Sequence, residues 1–169
     1  EWRAIRAQGR KRKHRSAETH FSTWVSQRSA EVIRNRDKSK PLYLQVGYFD
    51  PHNPYDHYPL ESEQLLHPEY YPEVIPDDVS AMPEALQLEA HYHCPATLGA
   101  TGDTNRKIRT GYFAGVSFLD QQIEKIFQAL KDEGIFDNTL IIYTSDHGDM
   151  LGDHGLYSKG AMFYEQGVN

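Results

Sequence analysis

The run Thr139–Thr144, TLIIYT, passes directly into SDHGDMLGDHGLYSKG at 145–160. A short run of β-branched, aliphatic and aromatic residues stopped by a turn-rich stretch predicts a buried strand. In open α/β sheets, ligands bind just beyond the carboxyl ends of the strands. Asp146 and His147 stand at that end, and Lys159 follows thirteen residues after Asp146. A carboxylate such as Asp146 suits a hard cation: Ca²⁺, Mg²⁺ or Mn²⁺. His147 can ligate through one ring nitrogen or hydrogen-bond to a bound oxygen. Lys159 is a compact charge that suits a tetrahedral oxyanion. The competing reading is a surface turn with solvated charges. Strand, glycine-rich loop and downstream lysine together favour an anion bound beside a divalent metal.

A second cluster points the same way. Pro41–Phe49, PLYLQVGYF, also reads as a buried strand, and Asp50-Pro51-His52-Asn53-Pro54-Tyr55 follows at once. Two prolines fix φ and remove backbone donors, so the turn is stiff. It presents His52 at the sheet edge, where an imidazole can donate to an oxyanion or protonate a leaving oxygen. A turn histidine with no task is the alternative.

The remaining organisation is βα alternation. Glu18–Arg36 reads as a helix with Phe21, Trp24, Val25, Ala30 and Ile33 on one side, capped by Thr19 or Ser22. Residues 53–102, broken by seven prolines, show no steady period and form an irregular insert. A loop of that length is functional or disordered rather than idle. Tyr55, His57, His91 and His93 are its candidate substrate contacts, with ordinary surface packing as the alternative for each. Asp103–Glu133 is the best-defined helix, with Ile108, Tyr112, Val116, Leu119, Ile123, Ile126, Phe127 and Leu130 at three- and four-residue steps and Gly134 closing it. That stripe is core, and Asp120 beside it is solvated rather than catalytic.

Residues 40–168 resemble the central part of a sulfatase, within the alkaline-phosphatase-like superfamily. The strand followed by DPHNPY is similar to the family's strand and Pro-His element, and TLIIYTSDHGDMLGDHGLYSKGAMFYEQGV is similar to its second metal-binding stretch. The Asp-His form is that of iduronate-sulfatase-like and choline-sulfatase-like enzymes and of phosphonate monoester hydrolases. The resemblance implies an α/β fold in which this chain is part of a mixed sheet flanked by helices. It implies that Asp146 and His147 ligate one divalent metal, with Ca²⁺ first and Mn²⁺ or Mg²⁺ as alternatives. It implies that Lys159 binds the sulfate or phosphoryl oxygens, that His52 contacts the ester oxygen or sulfate, and that His154 forms pocket wall or second shell.

The departures are equally informative. The family takes its nucleophile from a C/S-x-P-x-R segment, converted to formylglycine, and two further aspartates from an earlier strand. Neither lies upstream of His52, where Asp37 is the only aspartate of residues 1–39. Cys94, in HYHCPATLGA, has its proline one place early, lacks the arginine and falls on the wrong side of His52. The chain is therefore expected to be an incomplete internal part of a catalytic domain, with formylglycine in the missing N-terminal part. Within it, 1–17 reads as a basic connection, 18–52 as helix, strand and Pro-His turn, 53–102 as the substrate-side insert, and 103–169 as long helix, strand and metal/sulfate loop. Mean hydropathy of −0.70 with 38% hydrophobic residues is lean for a self-standing α/β domain, consistent with an absent half of the sheet.

The function expected of the parent is hydrolysis of small-molecule or carbohydrate sulfate esters. One alternative is a phosphonate monoester or phosphodiester hydrolase on the same scaffold; another is an inactive remnant. Residues 1–40 carry 12 Lys or Arg against 4 Asp or Glu. The basic run Arg10–Arg15 has no interleaved aromatics, so no nucleic-acid partner is expected. No apolar run approaches the ~20 residues that span a bilayer, and a single cysteine rules out an internal disulfide.

Overall fold

The computed structural model describes residues 16–75, 79–93, 102–159 and 164–168. The basic run at 10–15, Cys94 and Gly160 lie outside them. The helices are α1 (Phe21–Arg34), α2 (Glu84–His93), α3 (Gly102–Asp132) and the single turn α4 (Glu165–Val168), with short 3₁₀ turns between. The described residues divide into two compact units, one drawn from 16–66 with 111–142 and the other from 67–110 with 143–168.

In the first unit the core is Ala30 and Ile33 of α1 against Ile126, Ala129 and Leu130 of α3, with Leu44, Val46, Tyr48, Ile135 and Phe136 packed around them. Burial of Ile33, which is 1% exposed, contributes on the order of 2–5 kcal/mol by the cost of truncating such a side chain. The face that α1 buries matches the expected one at Ala30 and Ile33 and differs from it at the start of the helix. Phe21 and Trp24 are 52% and 54% exposed and stack on each other, while Ser22, Thr23, Ser26 and Ser29 are buried. Each buried hydroxyl has a partner: Ser22 donates to Asp50, Thr23 to the Ala17 carbonyl, Ser29 to the Val25 carbonyl, and Ser26 shares a 2.7 Å bond with the Tyr48 hydroxyl. A polar face is tolerated inside because no group is left unpaired. The N-cap is His20, whose Nδ1 accepts the Ser22 amide. Neither Thr19 nor Ser22 takes that position, since their hydroxyls are engaged elsewhere.

α3 begins and ends within one residue of expectation. It closes in a Schellman motif: Gly134 at φ +68° donates to Lys131 O and Ile135 N to Leu130 O. Of the expected stripe Ile108, Leu119, Ile126 and Leu130 are buried, whereas at Tyr112, Val116 and Ile123 the buried edge shifts by one position to Gly111, Gly115 and Gln122, with Ala114, Phe118 and Ala129 beside it. Asp120 is exposed. The carboxyl end of α1 is tied to that of α3 through Glu133, which takes Arg36 at 2.9 Å and Lys38 at 3.0 Å.

Neither 41–49 nor 139–144 forms a ladder, and no strand is present among the described residues. The side chains of 41–49 nevertheless alternate as a strand's do. Leu44, Val46 and Tyr48 turn toward the core, while Tyr43 and Phe49 are 87% and 63% exposed. Leu140 and Ile142 are likewise bare at 87% and 78%. A strand is defined by a neighbour that takes its amides and carbonyls, and no such neighbour occurs among the described residues.

In the second unit Met150 and Leu156 are the buried pair, with Leu86 and Tyr164 against them. The stretch 53–102 is more regular than its prolines suggest. It holds 3₁₀ turns at Leu60–Leu65, Pro68–Tyr70 and Val79–Ala81 before α2. α2 is the element the pattern missed, although Pro83 followed by EALQLEA is a helix start followed by strong helix formers.

Two predictions follow from this packing. A Cβ at Gly111 would lie 2.1 Å from the Tyr55 carbonyl oxygen, whereas one at Gly115 would meet Pro51 at an ordinary 3.4 Å. Gly111→Ala therefore lowers stability by about 1–3 kcal/mol despite the gain in helix propensity, and Gly115→Ala is neutral or raises it by up to about 1 kcal/mol; denaturant melts of both check the contrast. Hydrogen bonds from Lys38 and then Arg36 hold the Glu133 carboxyl below its ordinary value of 4.5. A carboxyl lowered on folding adds stability above that value and loses it as the pH falls through the lowered one. Glu133→Gln is expected to be less stable than wild type at pH 7, with the gap narrowing below pH 4.5. An equal gap at all pH values would show that the ion pairs add nothing.

Candidate functional site

The segment after residue 144 is a compact hairpin loop. Ser145 Oγ donates to the His147 carbonyl at 2.8 Å, and the His147 amide donates to Asp146 Oδ1 at 3.0 Å. The Asp146 side chain is 86% exposed and that of His147 34%, with His147 Nε2 3.6 Å from Asp146 Oδ2. His147 Nδ1 lies 2.8 Å from the Gly148 carbonyl oxygen. A carbonyl can only accept, so Nδ1 carries the proton, and in the neutral ring Nε2 carries the lone pair on the Asp146 side. Metal-binding histidines are held in this way, one nitrogen donating to a backbone carbonyl while the other faces the ion.

Beyond the pair the chain doubles back. Met150 N donates to Ser158 O and Gly152 N to Leu156 O, while Asp149 Oδ1 accepts the amides of Leu151 and Ser158 at 3.0 Å each. Leu151, His154 and Ser158 hold left-handed φ of 45°, 55° and 66°, conformations that cost about 1–3 kcal/mol at non-glycine residues and gather at functional sites. Gly152 is favoured by its φ of +102°, and a Cβ there would lie 2.8 Å from Asn105 Oδ1, so that side chain would have to shift. His154 donates its amide to Ile75 O at 2.8 Å, and the Ile75 amide returns to Asp153 Oδ1 at 3.1 Å. The His154 ring stacks on Tyr164, with centroids 4.2 Å apart and planes 19° from parallel. Lys159, half-buried, leaves the hairpin immediately after Ser158.

His52 stands in the other unit, so the structure brings Asp146, His147, His154 and Lys159 onto one loop and describes His52 separately. The DPHNP turn is closed by His52 N to Phe49 O at 3.1 Å. Asp50-Pro51 and Asn53-Pro54 are both cis. His52 is exposed; its ring lies 4.7 Å from that of Phe49 and its Nδ1 is 2.6 Å from the Asn53 carbonyl. By the same acceptor argument Nδ1 is the protonated nitrogen. His52 lines a cavity of about 350 Å³ with His20, Phe21, Phe49, Asp50 and His57. Asp50 is anchored from below by buried Ser22 and lies 3.7 Å from His20 Nδ1.

Sequence reasoning gave Asp149 no role and read Ser22 only as a possible cap and Asp50 only as part of the turn. Asp149 did carry a signal: an aspartate two residues before a turn commonly accepts the amide at i+2. Ser22 and Asp50 meet across 28 residues, a separation no local pattern encodes. Among the described residues no group of three or more His, Cys, Asp or Glu is placed to hold a metal ion, so Asp146 and His147 are a pair of donors rather than a full ligand set. No helix among them is long and apolar enough to cross a membrane.

With the loop, the Pro-His turn and the long helix in view, the relatives agree. Residues 5–169 match the sulfatase family model, and the chain belongs to the sulfatase family. It is 35% identical over 161 residues to iduronate 2-sulfatase of Mus musculus, covering 81% of this chain and 28% of that protein. It is 30% identical over 145 residues to an arylsulfatase of Clostridium perfringens, covering 83% and 29%. Its fold is like that of the phosphonate monoester hydrolase of Agrobacterium radiobacter, with a TM-score of 0.77 at 24% identity over 90% of this chain and 32% of that one. The chain thus spans less than a third of the length of each of these three.

Proposed function

We propose that the protein carrying this chain is a metal-dependent hydrolase of organic or carbohydrate sulfate esters, and that these 169 residues supply part of its active site. The observation that supports it most is the Asp146–His147 pair, with the imidazole tautomer set by the Gly148 carbonyl so that Nε2 faces the carboxylate. One carboxylate and one neutral imidazole suit a divalent ion, Ca²⁺ first and Mn²⁺ or Mg²⁺ next. Such an ion, when bound, supplies positive charge that polarises the ester oxygens.

The chain's own residues do the rest. Lys159 sets an ammonium against the oxygens of the tetrahedral group, where its charge counts most as negative charge builds on the leaving oxygen. His52, with Nδ1 committed to Asn53 O, keeps Nε2 for contact with the ester oxygen or the sulfate, and can deliver a proton when protonated. His154, stacked on Tyr164, is pocket wall. The nucleophile, expected to be formylglycine, comes from outside these residues. The bare faces of 41–49 and 139–144 are read as the inner strands of a mixed sheet completed by the remainder of the protein.

A second reading keeps the site and changes the substrate. The fold's likeness to phosphonate monoester hydrolases favours a phosphonate ester, which offers the same tetrahedral anion. Parallel assays of sulfate and phosphonate esters on the full-length protein decide between them; turnover of neither sinks both.

Lys159→Ala is expected to lower kcat by about 10²–10³ with a smaller change in KM; activity within a factor of two of wild type defeats the role. Asp146→Asn is expected to weaken metal binding by on the order of a hundredfold, read as metal retained after dialysis. Unchanged metal content counts against ligation.

A further inference from the structure

Asp149 closes the loop that carries Asp146, His147 and Lys159. Its Oδ1 accepts the Leu151 amide at 3.0 Å, forming a turn at the start of the loop. The same oxygen accepts the Ser158 amide at 3.0 Å, nine positions further on. Inside this clasp run the Met150–Ser158 and Gly152–Leu156 backbone bonds, at 2.9 and 2.8 Å. Met150 and Leu156, 1% and 0% exposed, hold the hairpin against Leu86 and Tyr164 of the same unit.

We propose that Asp149 is a positioning residue: by taking both amides on one carboxylate oxygen it fixes Lys159 beside Asp146 and His147. The proposal rests on the ester-hydrolase reading of Lys159. The reasoning is one of reach. Asp146 and Lys159 are thirteen positions apart, but Asp149 lies three residues after Asp146, a span of at most roughly 11 Å. Lys159 leaves the chain one residue after the amide that Asp149 holds. Hydrogen bonds to an ionised acceptor are about twice as strong as neutral ones, so one carboxylate replaces the ladder that a longer hairpin would need. A displacement of the lysine by about 1 Å lowers turnover by up to roughly a hundredfold.

The test uses the full-length protein with Asp149→Ala and Asp149→Asn, reading kcat and KM on sulfate and phosphonate esters, metal content, and amide hydrogen exchange at 150–159. Asp149→Ala is expected to lower kcat at least tenfold, to keep metal affinity within about threefold, and to speed exchange at Leu151 and Ser158. Asp149→Asn retains an acceptor oxygen and is expected to recover most of both. Unchanged exchange in Asp149→Ala overturns the clasp whatever the activity. Faster exchange with kcat within twofold of wild type overturns the positioning of Lys159. Equal loss in both variants, with metal lost as well, assigns Asp149 to the ligand set and also overturns the proposal. A wild-type protein that turns over neither ester defeats the functional reading separately, and exchange then decides the clasp alone.

Discussion

An extended backbone carries a row of amides and carbonyls that only a neighbouring strand can satisfy, and both candidate site turns hang from segments of this kind. Residues 41–49 lead into the His52 turn and 139–144 into the Asp146 loop. The first has one face already fixed. Leu44, Val46 and Tyr48 pack on α1 and α3, so its register is set from the helical side. Its opposite face is bare, with Tyr43 at 87% exposure. In 139–144 the exposed Leu140, Ile141, Ile142 and Tyr143 leave both faces open.

The two turns are stiffened by different means. At 50–54 the stiffness comes from prolines and from Asp50 held by Ser22, and Tyr55 just after the turn sits against Gly111 of α3 where a methyl group would not fit. At 146–159 it comes from a carboxylate, two buried apolar side chains and several left-handed residues. Both place an imidazole with Nδ1 spent on a backbone carbonyl and Nε2 directed away from it. Preorganisation of this sort matters in a site that works by fixed charge, because little of the arrangement has to be assembled as the substrate reacts.

The long helix was legible almost to the residue, because its apolar period is sustained over many turns and Gly134 marks its end. The hairpin after residue 144 was legible as a loop because glycines and charges follow an apolar run in the primary structure. The family resemblance covered the same segments and is borne out by the match over 5–169. α1 was placed correctly and its orientation was legible in part: Ala30 and Ile33 face inward as expected, Phe21 and Trp24 do not, and hydropathy assigns serine to the outside without knowing that Asp50 and Tyr48 will receive it. α2 was hidden among prolines that punctuate its neighbours rather than itself. The mixed sheet remains an expectation, since pairing is a property of two segments and sequence pattern speaks for one at a time.

The left-handed residues of the 149–158 hairpin carry a further consequence for how such a loop can vary. Leu151, Gly152, His154, Gly155 and Ser158 reverse the usual backbone twist at set intervals, and the cross-bonds from Met150, Gly152 and Asp149 are tied to that count. Replacing a side chain leaves the count intact. Inserting or removing a residue shifts every reversal off its place and parts the bonds together. Apart from Gly152 and Asp149, drift in this loop is therefore more open in composition than in length, so a fixed spacing from Asp146 to Lys159 follows from the backbone before any demand of chemistry is made on it.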